Sequence, residues 1–367
     1  MRSPLAFTLA SLAVLAACTD TAPTTPTPSA TTTSTSASPD VAAASVSVVM
    51  AGLDSPRGLA WGPEGGLYVA EAGNTTVNGP CVGSPRGPIC YSGTGAITRL
   101  WKGKQERVAS GLPSLYRTQA IDIAGPHDVD FQGKGNMFVT IGWGANPALR
   151  AGLGALGTLF GRTIRVTPNG KWTLGADISS FETAHNPAGG PIDSNPYGIL
   201  AEPSHQFVTD AGGNDLLEVS EQGTVSLVST FPNTPGGAEP VPTEVVRGPD
   251  GSLYVSTLTG APFVAGAAGI WRVVPGGAPQ LVAGGFKTIT DFDIGPDGTL
   301  YVVQFASSPM GFGQPGLLIR VAPGGARTTL SSSLTNPTGV LVGPDGAVYV
   351  SNKGNVASVG EVLRIVP

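Results

Sequence analysis

One sequence motif occurs six times along the 367-residue chain. Each copy has apolar residues at alternate positions, then a turn, then an aromatic residue followed by Val. All copies except the fifth begin with Pro, which Ile replaces there. This repetition indicates that one structural unit is built six times. Counted from this first residue, the copies span residues 56–69, 126–139, 196–208, 242–255, 289–302 and 337–350.

Four strands are predicted for each copy. Gly-Pro-Asp-Gly, at residues 248–251, 295–298 and 343–346, is typical of a tight hairpin, because Pro presets one backbone dihedral and Gly accepts a positive φ. A third strand follows the aromatic one, as in residues 269–273, and a Gly-rich turn leads to a fourth. Four antiparallel strands form a propeller blade, so the sequence predicts an all-β, six-bladed β-propeller.

The two ends of the chain predict how the propeller closes. The last copy ends just after its third strand, residues 361–365, and therefore lacks a fourth. Residues 48–53 precede the first copy and match the fourth-strand pattern of residues 107–112 and 280–285. We expect this N-terminal strand to join the last blade, because the pairing removes two open sheet edges.

The N-terminal segment is typical of an exported protein. Arg2 precedes an apolar run that is too short to span a bilayer and ends in Leu-Ala-Ala-Cys. This end resembles the lipobox of bacterial lipoproteins, so residues 1–18 are predicted to be a signal peptide and Cys18 to carry a lipid. Residues 19–44, nearly all Thr, Ser, Pro and Ala, predict a disordered tether before a propeller at residues 45–367. We expect a lipid-anchored protein of the cell envelope; a periplasmic or secreted location is the alternative.

Charge narrows the classes of partner. Only 12% of the residues are charged, the formal net charge is −5, and no cluster of Lys and Arg is present to neutralise a row of phosphates. We therefore expect no nucleic-acid partner and membrane contact only through the lipid.

Two cysteines lie close together in a Gly- and Pro-rich segment. Cys81 and Cys90 are the only cysteines besides Cys18. An oxidising compartment favours a disulfide between them. A metal site would need further ligands, which this segment does not contain.

Long insertions are confined to the first three blades, at residues 74–95, 113–125, 143–159 and 182–195. In a propeller these connections share one face, opposite the Gly-Pro-Asp-Gly turns. Long loops on a rigid scaffold commonly carry function. We expect this loop-rich face to bind a small molecule, a glycan or a protein.

The residue after the first position of each motif copy is predicted to line the mouth of the central channel on that face. The next residues along include Asp128, Glu244 and Asp291. Three carboxylates with carbonyls and water suit Ca²⁺, which takes six to eight oxygen ligands. The alternative is that they accept hydrogen bonds from backbone N–H groups or pair with Arg57. The mouth residues are Arg57, His127, Tyr197, Thr243, Thr290 and Thr338.

Few residues suggest catalysis. His127, beside Asp128, is a weak candidate for a general base because imidazole titrates near neutrality. Trp143 stands in a long loop and is a candidate ligand contact, together with Arg57, His127 and Tyr197. No nucleophile elbow, His-Glu-x-x-His pair or phosphate-binding Gly loop is present in the sequence.

The motif resembles NHL-type and regucalcin-like six-bladed propellers. Residues 52–61, the cysteine segment ending in residues 91–97, and residues 195–199 look like the ScyD/ScyE family of exported bacterial proteins. The resemblance covers residues 46–367. It implies a propeller fold and a link to scytonemin pigment clusters of cyanobacteria, and it transfers no catalytic residue.

Three functions remain open. The first is a surface-tethered binding module. The second is a Ca²⁺-dependent hydrolase or lactonase, in which a cation held by the three carboxylates polarises a carbonyl group near His127. The Glu, Asn and Asp ligand set of regucalcin-like enzymes cannot be matched to this sequence position by position. The third is an accessory role in a scytonemin-like secondary-metabolite pathway.

Overall fold

β-Strands make up almost all the regular structure of this computed structural model, which describes residues 44–118, 122–307 and 313–367. The predicted signal peptide, the lipidation site at Cys18 and nearly all of the tether lie outside the described residues. No helix within the described ranges is long and apolar enough to cross a membrane.

Residues 44–202 contain 14 of the described strands together with the two described helical segments. The helical segments are a 3₁₀ helix at Pro147–Leu159 and the helix α1 at Ile178–His185. The strands are β1 (Ser45–Leu53), β2 (Pro56–Trp61), β3 (Leu67–Glu71), β4 (Cys81–Val82), β5 (Ile89–Tyr91), β6 (Gly95–Trp101), β7 (Lys104–Leu112), β8 (Leu115–Arg117), β9 (Asp122–Ala124), β10 (Pro126–Gln132), β11 (Asn136–Ile141), β12 (Arg162–Val166), β13 (Trp172–Asp177) and β14 (Pro196–Glu202).

The regular elements described in residues 205–367 are all strands. They are β15 (His205–Asp210), β16 (Asp215–Ser220), β17 (Val225–Thr230), β18 (Pro242–Arg247), β19 (Leu253–Thr257), β20 (Ala268–Val273), β21 (Gln280–Phe286), β22 (Ile289–Ile294), β23 (Leu300–Gln304), β24 (Gly316–Val321), β25 (Arg327–Leu334), β26 (Gly339–Val342), β27 (Val348–Asn352) and β28 (Gly360–Val366).

The described strands form seven four-stranded antiparallel sheets. Six of them each contain one motif copy, and we number them sheets 1 to 6. The seventh, the accessory sheet, is built from loop strands in the order β4-β5-β8-β9 and was not predicted. Sheets 1 to 6 have the orders β2-β3-β6-β7, β10-β11-β12-β13, β14-β15-β16-β17, β18-β19-β20-β21, β22-β23-β24-β25 and β26-β27-β28-β1.

The two chain ends meet in sheet 6. β1 pairs with β28 in antiparallel register, with Val48 opposite Leu363 and Met50 opposite Val362. The predicted pairing of the terminal strands is therefore confirmed. The first strands of the sheets contact one another in the order β2, β10, β14, β18, β22 and β26, and β26 contacts β2.

The core lies between neighbouring sheets. The Val after the aromatic residue is fully buried in every copy, and burial of such a side chain contributes about 1.5–3 kcal/mol. The motif thus repeats because the same Val of each copy is packed in the core between neighbouring sheets. These residues are Val69, Val139, Val208, Val255, Val302 and Val350.

The Gly-Pro-Asp-Gly segments form the predicted hairpins. In the turn of sheet 4, Gly251 has φ +77° and its N–H donates to the carbonyl of Gly248 at 2.9 Å. The Asp of that turn, Asp250, accepts the N–H of Ser252 at 3.0 Å. A residue with a Cβ is strained at this φ, which explains the recurring final Gly.

The long loops of the first two copies are organised around the accessory sheet. Cys81 pairs with Cys90 across β4 and β5, and the predicted disulfide between them is present. β4 also contacts the 3₁₀ helix, where a Cβ on Gly152 would lie 2.5 Å from Cγ2 of Val82. The described residues of these insertions therefore form an ordered layer.

Candidate functional site

A central cavity of about 270 Å³ is lined by the first strands of all six repeat sheets. In each of these strands the second and third residues of the motif are buried, except at Tyr197, whereas residues further along are partly exposed. The cavity therefore opens towards the Gly-Pro-Asp-Gly turns, on what we call the hairpin side. This corrects the expectation that the channel mouth lies on the loop-rich face, because the residues expected there close that end. Lining residues include Trp61, Asp128, Leu200, Glu244, Asp291 and Leu341.

The six predicted mouth residues, which we call the loop-side ring, mostly join neighbouring sheets. Thr290 Oγ1 donates to the carbonyl of Pro337 at 3.0 Å, and Thr338 Oγ1 donates to that of Pro56 at 2.6 Å. Thr243 Oγ1 lies 3.3 Å from the carbonyl of Ile289. Each carbonyl belongs to the first residue of the next motif copy, so the side chain after that position links one sheet to the next.

Arg57 has the same role in sheet 1. Its guanidinium donates to the carbonyls of Gly354 at 2.7 Å and Ile123 at 3.0 Å. These two residues precede and follow sheet 1 around the ring. Arg57 is buried and makes no ion pair with a channel carboxylate among the described residues, although that pairing was one alternative considered from the sequence.

His127 continues this pattern. Its Nδ1 lies 3.0 Å from the carbonyl of Pro196, and Nδ1 must carry the proton because a carbonyl only accepts. Burial, followed by the charge of Arg57, lowers the pKa of His127 to about 4. The imidazole is therefore neutral at pH 7 and a poor proton acceptor, which weakens its candidacy as a general base.

Tyr197 is the exception in the loop-side ring. It is partly exposed, and its ring lies 4.7 Å from that of His127, centroid to centroid. Burial of the hydroxyl raises the pKa of Tyr197 to about 12, so the phenol stays protonated. Of the four predicted ligand contacts, only Tyr197 combines an exposed surface with a position in the ring.

Trp143 is corrected from a ligand contact to a core residue. It is 0% exposed, and its Nε1 donates to the carbonyl of Asn146 at 3.1 Å. Its ring packs against Phe160 with centroids 6.1 Å apart. The accessory layer covers this tryptophan, which the loop position in the sequence did not indicate.

Asp128 and Asp291, in sheets 2 and 5, tie their strands to the next sheet. Asp128 accepts the N–H of Val129 at Oδ1 and that of Ile199 at Oδ2, both at 2.8 Å. Asp291 accepts the N–H of Val340 at 2.8 Å. These bonds to backbone N–H groups match one of the two alternatives to a metal site.

The residues two positions further along repeat the arrangement. Asp130 accepts the N–H of Ala201, and Asp293 accepts that of Val342, both at 2.7 Å. The pattern Asp-x-Asp therefore places two carboxylates against backbone N–H groups on the first strand of the neighbouring sheet. It does so because side chains two residues apart on a strand point in the same direction.

Asp128, Glu244 and Asp291, which we call the channel carboxyls, interact electrostatically. Burial raises the pKa of Asp128 to about 8, against the N–H groups of Ile199 and Val129, which lower it. Burial and then the charges of Asp128 and Asp291 raise the pKa of Glu244 well above its usual range. The pKa of Asp291 is also raised, first by burial and then by Asp128. Each of the three carboxyls therefore keeps its proton to a higher pH than a solvent-exposed carboxyl does.

The channel carboxyls do not fit the predicted calcium site well. Within the described residues, no group of three or more His, Cys, Asp or Glu side chains is placed to hold a metal ion. Oxygens of all three carboxyls already accept backbone N–H groups, including that of Val245 for Glu244 at 2.8 Å. The assignment of Ca²⁺ to these residues stays a prediction.

A second acidic group was missed by the sequence reasoning. Three acidic residues lie near the turn between β15 and β16, at one end of sheet 3, and we call them the edge cluster. They are Glu182 of α1, Asp210 at the end of β15 and Asp215 at the start of β16. Burial, then the charges of Asp210 and Asp193, raises the pKa of Glu182 to about 7. The segment Asp-Ala-Gly-Gly-Asn-Asp at residues 210–215 was the available signal.

Sequence comparison finds no relative: no protein-family model and no curated protein matches this chain. Solved structures are similar in fold. A virginiamycin B lyase from Staphylococcus aureus is 13% identical, with a TM-score of 0.50, over 88% of this chain and 99% of that one.

Two further structures are similar to the same extent. A gluconolactonase from Xanthomonas campestris is 9% identical, with a TM-score of 0.52, over 88% of this chain and 90% of that one. A protein of unknown function from Bacteroides thetaiotaomicron is 11% identical, with a TM-score of 0.53, over 88% of this chain and 76% of that one. At such identities the likeness shows a β-propeller fold and carries no activity over to this chain.

Proposed function

We propose that the chain is a closed six-bladed propeller, exported and anchored by a lipid on Cys18, that binds a ligand through its loop-rich face. Six motif copies, the pairing of β1 with β28 and the contact of β26 with β2 support the closed ring. The accessory sheet is made of loop strands and contains no motif copy, so it does not count as a seventh blade.

The state of the loop-side ring favours binding over catalysis. Five of its six side chains are hydrogen-bonded to backbone carbonyls and hold neighbouring sheets together. A catalytic group needs an atom directed at the substrate with a suitable pKa. His127, the only imidazole in the ring, has its Nδ1 committed to Pro196 and a pKa lowered to about 4.

The loop-rich face offers a pre-organised surface. The disulfide and the contact between β4 and the 3₁₀ helix hold residues 74–91 in place, and a rigid surface loses little entropy on binding. Residues 75–78 are exposed and read Thr-Thr-Val-Asn. Uncharged polar groups of this kind suit the hydroxyl groups of a glycan, which is the ligand class we propose ahead of a protein or a small molecule.

A glycan microarray probed with the purified full chain tests this function. We expect retention of at least one glycan class and a loss of about tenfold in affinity, equivalent to about 1.4 kcal/mol, for the double variant Thr75→Ala, Thr76→Ala. Thr224→Ala, an exposed threonine in a turn on the hairpin side, is the matched control and should bind normally. A silent array, or equal loss in both variants, would remove the proposal.

A calcium-dependent hydrolase or lactonase is the second candidate. The mutual influence of the channel carboxyls on their pKa values favours it, since such groups often mark functional sites. Hydrolysis of a gluconolactone by the full chain, with and without Ca²⁺, separates the two functions. We expect the spontaneous rate; Ca²⁺-dependent turnover that Glu244→Gln abolishes would replace the binding proposal with this one.

Membrane anchoring has its own test. A Cys18→Ser variant should move from the membrane fraction to the soluble fraction after expression in a bacterial host, and mass spectrometry should detect a lipid only on the unaltered chain. Soluble unaltered chain would favour the secreted alternative. An accessory role in a scytonemin-like pathway, and membership of the ScyD/ScyE family, follow from the sequence resemblance alone.

A further inference from the structure

One backbone N–H group at the central cavity differs from its equivalents in most other sheets. In sheet 1 the N–H of Gly62 donates to the carbonyl of Gly66 at 2.8 Å, so alternation along the strand turns the N–H of Trp61 away from β3, towards the cavity. Trp61 follows the residue that pairs with the aromatic residue of the motif. The residues paired in this way are Ala60, Asp130, Leu200, Val246, Asp293 and Leu341.

The two Asp residues at this position supply acceptors for the equivalent N–H in four sheets. Asp130 accepts the N–H of Phe131 in its own sheet and that of Ala201 in the next sheet, both at 2.7 Å. Asp293 makes the two equivalent bonds in sheets 5 and 6, also at 2.7 Å. Each Asp therefore serves its own sheet and the one that follows it around the ring.

Sheet 1 has neither source of an acceptor. Ala60 occupies the position in sheet 1, and Leu341 occupies it in sheet 6, which precedes sheet 1 around the ring. The N–H of Trp61 therefore has no carboxylate acceptor among the described residues. Sheet 4 also lacks an Asp from either source, but its equivalent residue, Arg247, does not line the cavity, whereas Trp61 does. A backbone N–H that faces a cavity favours a ligand with a hydrogen-bond acceptor.

The wall around this N–H suits an aromatic molecule. Leu200, Phe292 and Leu341 line the cavity together with Trp61. The ring of Trp61 is held in place, because its Nε1 donates to the carbonyl of Val342 at 3.1 Å. An apolar cavity of about 150 Å³ accommodates benzene, so this cavity of about 270 Å³ admits a ring with a polar substituent.

The carboxyl groups of the cavity disfavour a charged ligand. Five of them line it, and their negative charge opposes the entry of an anion. A cation is not required either. Oxygens of Asp130 and Asp293 accept backbone N–H groups, and burial raises the pKa of each to about 6, so that protons neutralise them readily.

We propose that the central cavity binds a small uncharged aromatic molecule whose carbonyl group accepts the N–H of Trp61. The cavity opens on the hairpin side, so this is a second binding site, separate from the loop-rich face.

Four benzene derivatives with the same arrangement of heavy atoms test the ligand class, in ligand-observed NMR titrations of the full chain. Acetophenone, which is neutral and has a carbonyl, should bind about fivefold more tightly than each of the others. These are α-methylstyrene, which lacks the acceptor, benzoate, an anion, and benzamidine, a cation. Absence of acetophenone binding overturns the proposal. So does equal or tighter binding of any of the other three.

Two substitutions locate the site. Leu341→Asp places an acceptor beside the N–H of Trp61, as Asp293 does for sheet 6, and should weaken acetophenone binding about tenfold. Leu200→Asp is the matched control, because it removes the same side chain from the same cavity but directs its acceptor to sheet 4. Its binding should decrease less than about threefold.

Leu341→Asn and Leu200→Asn repeat the comparison without an added charge, and they replace either Asp variant that does not fold. Equal loss of binding at the two positions overturns the proposal, because the carbonyl would then have no partner in sheet 1. A failure of glycan binding at the loop-rich face leaves these outcomes unaffected.

Discussion

The channel carboxyls and the edge cluster each bring three buried acidic residues together, yet their hydrogen bonding differs. Asp128 and Asp291 accept N–H groups of the next sheet, so they belong to the framework of the propeller. Glu182 and Asp215 accept no hydrogen bond at their buried oxygens from the described chain. Hydrogen bonding, and not the number of acidic residues, therefore separates carboxylates that support the framework from carboxylates that do not.

Replacement of Asp291 should have the largest effect. Asp291→Ala removes the acceptor for the N–H groups of Val340 and Phe292, and two buried donors without acceptors should lower the free energy of unfolding by about 3 kcal/mol. Urea denaturation measures it. Asp297→Ala, in an exposed turn of the same sheet, is the control and should cost less than about 1 kcal/mol. Equal losses would mean that Asp291 has no framework role.

The channel carboxyls should also make the stability of the fold depend on pH. In the folded state the pKa of Asp128 is about 8 and those of Glu244 and Asp291 are also raised, whereas the unfolded chain releases these protons at about pH 4. Stability contributed by these groups is therefore complete below about pH 4 and decreases as the pH rises towards 8. We expect a loss of about 2 kcal/mol between pH 5 and pH 8.

Glu244→Gln is the variant for this measurement, because an amide resembles the protonated acid. Its stability should decline less steeply with pH than that of the unaltered chain, in urea melts at several pH values. Glu221→Gln, an exposed residue, should leave the slope unchanged. A variant slope as steep as the original would show that the channel carboxyls titrate normally.

Replacement of Asp by Asn should change the free energy of unfolding in opposite directions in the edge cluster and among the channel carboxyls. Asp215→Asn removes a buried carboxyl whose ionisation burial disfavours and whose Oδ1 has no hydrogen-bond partner in the described chain, and it should raise the free energy of unfolding by about 1.5 kcal/mol. Asp128→Asn should lower it, because an amide has one acceptor oxygen for the two N–H groups that Asp128 accepts. Thermal denaturation compares the two variants. Losses of similar size at both positions would erase the distinction between the sites.

The smallest expected effect concerns the loop-side ring. Thr338→Val keeps the shape of the side chain but leaves the carbonyl of Pro56 without its donor, at a cost of about 1 kcal/mol. Thr335→Val, at an exposed position in the loop that leads to β26, should change stability by less than about 0.5 kcal/mol. If Thr338→Val leaves the stability unchanged, the hydrogen bond to Pro56 does not support the fold, and Thr338 becomes a candidate for ligand contact.

Much of the fold was predictable because the same local pattern of buried residues and turns occurs six times in the sequence. The buried Val after each aromatic residue, the Gly251-type turns and the match between residues 48–53 and the fourth strands are all patterns of spacing. The Cys81–Cys90 pairing was predicted from chain position and compartment. The accessory sheet escaped prediction because its strands of two or three residues are too short to show alternation.

The candidate sites could be predicted less well from the sequence. The sequence placed Asp128, Glu244 and Asp291 in the channel, but the direction in which that channel opens depends on how six strands pack together. Trp143 looked like a loop residue, and its burial arises from a layer formed by distant segments.

The sequence by itself determined the repeat unit, the strand order within each sheet and the pairing of the two chain ends, because strand periodicity and turn chemistry act over a few residues. Only the tertiary structure decided which carboxylates have partners. That outcome depends on donors about 70 residues away, such as the N–H of Ile199 for Asp128, or on their absence near Glu182. Hydrogen bonding between sheets leaves little trace in local sequence, since a backbone N–H is present at every residue except Pro.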